Sequence, residues 1–83
     1  MRFFFTLHER EWVVEPAEAH EARDVGEAIV NAIDASRDIM SSEVRSGRLS
    51  LSDYIVVRNE AGMEVGKILF RDALDLTGLG QGH

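Results

Sequence analysis

Hydrophobic and polar positions along this chain keep one period in the middle and another on either side. Between Asp24 and Gly47, the positions Val25, Ile29, Ile33, Ser36, Met40 and Val44 recur at spacings of three and four, with Ala28, Ala32 and Ile39 widening the stripe. That is the period of one buried helical face. Glu27, Asn31, Asp34, Arg37, Asp38, Ser41 and Arg45 fall opposite it and suit water. Asp24 and Glu27 have the spacing of a helix cap in which acids meet the positive helix end. Arg45 suits the negative pole, and Gly47 can take the left-handed conformation that closes a last turn. A helix of about 22 residues is about 33 Å long, against about 23 Å for a strand of about seven residues. It is therefore expected to cross a small sheet diagonally or to overhang it.

On both sides of this helix the pattern alternates. Residues 2–7 (RFFFTL) predict a strand with Phe3, Phe5 and Leu7 on one side and Phe4 and Thr6 on the other. His8 to Glu11 reads as a turn, and Trp12 to Val14 as a short second strand ended by Pro16. Residues 16–23 are expected to be a connector, as are residues 48–53, in which Leu49 and Leu51 tuck under the helix end. Tyr54 to Arg58 is the clearest strand, Asn59 to Gly62 a turn with Gly62 at positive φ, and Met63 to Phe70 the returning strand. Gly66 inside it marks a bulge or a close backbone approach. Asp72 to Leu74 predicts one terminal helical turn, and residues 78–83 a flexible glycine-rich tail. The expected fold is α+β, in the order β-β-α-β-β, as a single domain over residues 1–77: an antiparallel sheet with one long helix packed on one face.

One helix covers one face of a sheet, yet these strands are apolar on both sides. If Phe3, Phe5, Leu7, Ile55, Val57, Ile68 and Phe70 meet the helix, then Phe4, Tyr54, Val56, Val65 and Leu69 face away from it. Soluble monomers seldom keep such a patch without a use. These five residues are the expected interface, most simply of a two-fold homodimer or with another protein chain. The alternative is that residues 16–23 and 71–77 fold over the same face within one chain.

Composition narrows the function. The 83-residue chain has a formal charge of −6, with nine acids against three bases in residues 9–38. An acidic chain without a basic cluster repels phosphate backbones, so direct nucleic-acid binding is not expected. There is no cysteine, which excludes disulfides and thiolate metal sites. The apolar run at Phe3 to Phe5 ends at His8-Glu9-Arg10-Glu11, far short of a signal peptide or a membrane span. A cytoplasmic protein that does not bind membranes is expected. His8 with Glu9 and Glu11 is a weak metal-ligand grouping, and His20-Glu21 lacks the second histidine of a zinc-protease motif. Ser41-Ser42 has no histidine near it in the chain, and no helix starts after Gly62 or Gly66 to cradle a phosphate. No catalytic, cofactor-binding or metal residue is predicted, and the reading is non-enzymatic.

Asn59-Glu60-Ala61-Gly62 and Phe70-Arg71-Asp72-Ala73, together with the aromatic start Arg2-Phe3-Phe4-Phe5 and the alanine-rich central helix, resemble a family of small bacterial domains of unknown function. The resemblance spans roughly residues 1–76. Where that family has an aspartate-glycine turn after the first strand, this chain has His8-Glu9-Arg10-Glu11. The resemblance implies a fold and brings no activity with it. More distantly, the strand pair followed by Asp24-x-x-Glu27-Ala28 and an amphipathic helix is similar to the partial domain of HicB-type antitoxins. This implies a protein partner as the alternative function.

Overall fold

The computed structural model describes residues 1–76. Its elements are β1 (Arg2–His8), β2 (Val13–Val14), β3 (His20–Glu21), α1 (Val25–Arg45), β4 (Tyr54–Arg58), β5 (Glu64–Leu69) and a 3-10 turn (Phe70–Ala73). All strand pairs are antiparallel, and the sheet runs β2-β1-β4-β5 with β3 also beside β1. The fold is α+β with one helix, as the periodicity predicts. The predicted tail, residues 78–83, lies outside the described residues. No helix among the described residues is long and apolar enough to cross a membrane.

The ends of α1 follow from its caps. Asp24 Oδ1 accepts from the Glu27 N–H at 2.8 Å, and Glu27 Oε1 reaches back to the Arg23 N–H at 3.0 Å. This satisfies two donors at the start of the helix. At the other end Gly47 has φ +88°, its N–H donates to the Val44 carbonyl, and the Arg48 N–H donates to the Glu43 carbonyl. That is the Schellman closure. Ala28, Ala32, Ser36 and Met40 are buried, and Ser36 keeps its hydroxyl satisfied by donating to the Ile33 carbonyl at 2.7 Å. Val25 and Val44, at the two ends of the same stripe, are exposed. Both ends of the apolar stripe are thus left uncovered by the sheet.

The strands are joined by turns that their residues favour. In the first, the Glu9 N–H donates to the Trp12 carbonyl at 2.8 Å, leaving Arg10 and Glu11 at the tip. In the second, Asn59 Oδ1 accepts from the N–H groups of Ala61 and Met63, and Gly62 has φ +81°. An Asx side chain replacing backbone partners beside a left-handed glycine is what the sequence Asn-Glu-Ala-Gly predicts.

Phe3, Phe5, Ile55, Val57, Ile68 and Phe70 form the core with the helix, and Leu7 packs against them. From residues 16–23, Pro16, Ala17, Glu18 and His20 lie beside helix-side residues Leu7, Ala35 and Ile39. Ala22, Ala73 and Leu74 join the helix-side core, and Arg37 Nε donates to the Ala73 carbonyl at 2.8 Å. Two expectations are corrected. The connector is not strandless, since His20 and Glu21 pair with Phe3 and Arg2, and the Ala22 N–H donates to the Met1 carbonyl. Val65 does not face away from the helix but packs against the helix-side core. Arg58 pairs with Glu64 while Val57 pairs with Gly66, so Val65 is the extra residue of a bulge. One inserted residue shifts the alternation that assigns faces.

Candidate functional site

Strand register sets the face of the sheet turned away from α1. Val13, His8, Tyr54 and Leu69 form one cross-strand row, Thr6, Val56 and Lys67 the next, and Phe4, Arg58 and Glu64 the third. Four of the five predicted interface residues, Phe4, Tyr54, Val56 and Leu69, are together on this face. Val56, at the centre, is 4% exposed, while Phe4, Tyr54 and Leu69 are half-buried. The face is mostly apolar at one end, carries the exposed Lys67 beside buried Thr6 and Val56 in the middle, and has the cross-strand pair Arg58 and Glu64, of opposite charge, beside Phe4 at the other end.

Tyr54 is held from both neighbouring strands. The His8 ring stacks on it with centroids 4.6 Å apart and planes 7° from parallel. Lys67 Nζ sits 4.2 Å from the same ring centroid. Contacts of these two kinds contribute roughly 0.5–1.5 kcal/mol each, which stiffens the row. His8 Nε2 is buried and has no hydrogen-bond partner among the described residues.

A second feature lies at the C-terminal end of α1, where the first turn and the connector after the helix enclose a cleft of about 770 Å³. Glu9, Glu43 and Asp53 bring carboxylate oxygens within 4.8 Å of one another there. Asp53, 2% exposed, accepts from Ser50 Oγ at 2.7 Å. Three acids beside the negative pole of a helix repel one another and the pole, and Arg10 and Arg48 on the cleft wall offset part of that repulsion. The predicted grouping of His8, Glu9 and Glu11 does not form: only Glu9 joins the trio, Glu11 lies at the exposed rim of the cleft, and His8 is turned to the open face. Sequence spacing carries no signal for the trio, because its members come from a turn, a helix end and a connector.

The histidines do not converge. His20 stacks on Phe5 on the helix side, with centroids 4.0 Å apart, whereas His8 stacks on Tyr54 on the open side. Among the described residues, no group of three or more candidate metal ligands includes a histidine. No curated protein and no solved structure matches the chain. A family model described as a domain of unknown function, DUF6894, matches residues 2–71, from β1 into the 3-10 turn, and the chain therefore belongs to the DUF6894 family.

Proposed function

We propose that this chain is a non-enzymatic protein-interaction module that self-associates through the open face of its sheet. The observation that carries this reading is the row formed by Val13, Tyr54 and Leu69 on the face opposite α1, where Val13 is exposed and Tyr54 and Leu69 are half-buried, as is Phe4 two rows away. Arg58 and Glu64 at one end are opposite in sign, so a two-fold arrangement that sets Arg58 of one copy against Glu64 of the other is attractive there.

The size of the face bounds the area that two copies can bury. Strands of seven, two, five and six residues, at about 3.4 Å per residue and about 4.8 Å apart, give a face of roughly 330 Å². Two such faces amount to roughly 650 Å² in projection, and side-chain relief adds to it, which places the contact among weak, transient interfaces. The dimer is accordingly weak and concentration-dependent.

Light scattering after size exclusion, at two concentrations about tenfold apart, tests this. The mass is expected to rise from the 9.3 kDa of one chain toward twice that value. Phe4→Glu should return it to the monomer, and Val30→Glu, on the exposed side of α1, should not. A monomer at every concentration, or a dimer indifferent to Phe4→Glu, overturns the proposal. The first result would favour the antitoxin-like alternative, in which the same face waits for a different chain.

A further inference from the structure

The edge of the sheet beside β1 is split. β2 pairs with Leu7 and His8, and β3 pairs with Arg2 and Phe3, so Phe4 to Thr6 have no strand beside them on that edge. Residues 15–19 leave the ladder there, and Pro16 among them has no N–H to donate to it. Between this excursion and α1 lies a groove of about 360 Å³, with Phe5, Leu7, Val14 and Ile39 in its wall and Glu15 and Glu18 also lining it.

We infer that this groove binds a segment of another protein in which an apolar side chain is flanked by lysine or arginine. Three observations select that occupant. The wall is largely apolar, with Leu7, Val14 and Ile39 lying beside the buried core residues Phe5 and Ile55. Its two acids, both exposed, form no salt bridge among the described residues, whereas Glu21 and Glu27 farther along the same stretch pair with the Met1 amino group, Arg2 and Arg23. A cation beside an apolar group complements unpaired carboxylates beside an apolar slot. Finally, the volume is at the low end of ligand-sized cavities, about 300–1,000 Å³, which suits one or two inserted side chains. The net charge of −6 draws a basic partner toward the chain from a distance. The groove is on the helix side of β1, opposite the proposed dimer face, so one site can be filled without the other.

The test is a titration of the full, ¹⁵N-labelled chain, followed by amide shifts of Leu7, Val14 and Ile39. The probes are three amidated tetrapeptides: two leucines between lysines, two leucines between glutamates, and two glycines between lysines. The first should shift these amides to saturation, and each of the others should bind at least about tenfold more weakly. Replacing both Glu15→Lys and Glu18→Lys alters only exposed positions, so the fold is kept. It should invert the preference between the lysine-flanked and glutamate-flanked peptides. The inference is overturned if no peptide moves these amides at millimolar concentration, if all three move them equally, or if the double variant leaves the order unchanged.

Discussion

Gly66 lies against Ile29 of α1, and replacing it tests the packing of helix on sheet directly. A Cβ built on Gly66 would meet Ile29 Cδ1 well inside 3.0 Å, yet would sit 3.5 Å from Ile29 Cγ1 and 3.9 Å from Val57 Cβ. One methyl group is therefore in the way. The backbone is not the obstacle, because Gly66 is not among the positive-φ glycines. In Gly66→Ala, Ile29 must leave its preferred rotamer, at about 0.5–1.5 kcal/mol, with some overpacking added. Lost freedom of the unfolded chain offsets about 0.4–1 kcal/mol of this. The net effect should be a destabilisation of about 1 kcal/mol.

The same substitution should change sign when Cδ1 is absent. Ile29→Val removes that methyl, at about 0.5–1 kcal/mol for a half-buried site. In that background the alanine methyl fills the vacated space, and Gly66→Ala should stabilise by about 0.5 kcal/mol. The double-mutant cycle thus carries a coupling of about 1.5 kcal/mol. Urea unfolding followed by far-ultraviolet circular dichroism measures it, with all four proteins at one low concentration so that association does not enter. Additivity within about 0.4 kcal/mol would refute the packing argument.

Three further outcomes are expected. Asp24→Ala should cost about 1 kcal/mol and lower the melting temperature by about 4–8 °C, whereas Asp24→Asn, which keeps an acceptor for the Glu27 N–H, should cost only a few tenths. Arg37→Ala removes the donor to the Ala73 carbonyl. It should destabilise by about 1 kcal/mol and speed hydrogen exchange in the 3-10 turn more than in β4, as read by mass spectrometry or NMR. Glu9→Gln relieves repulsion in the acidic trio and should stabilise the chain by roughly a few tenths of a kcal/mol in low salt, with the gain fading in thermal melts at higher ionic strength.

Much of the fold was legible in the sequence, for reasons that can be assigned to residues. Alternation placed Phe3, Phe5, Leu7, Ile55, Val57, Ile68 and Phe70 on the helix side, and all seven lie in or against that core. Local chemistry marked the helix ends at Asp24 and Gly47 because caps are made by residues adjacent in sequence. Val65 was misplaced because alternation is blind to an inserted residue, and only pairing with β4 reveals the bulge. β3 was missed because two residues carry no period. His20 and Glu21 become a strand only because Phe3 and Arg2 are already extended beside them.

The surfaces left for function follow from the same mismatch between local and global demands. One helix covers one face, so the opposite rows have no helix packed on them whatever their composition, and the apolar residues there could be foreseen from parity alone. The helix is longer than the strands, so its C-terminal end projects past them and forms a wall of the acidic cleft with the first turn. The edge strand breaks between Val14 and His20, so the groove appears where the sheet fails to continue. The last two surfaces depend on where elements stop, and Glu9, Glu43 and Asp53, or Leu7, Glu18 and Ile39, acquire meaning only once those stops are set in space. Sequence periodicity describes how elements run. In a domain this small, two of the three candidate surfaces lie where an element ends, which is why their residues had to be read from the structure.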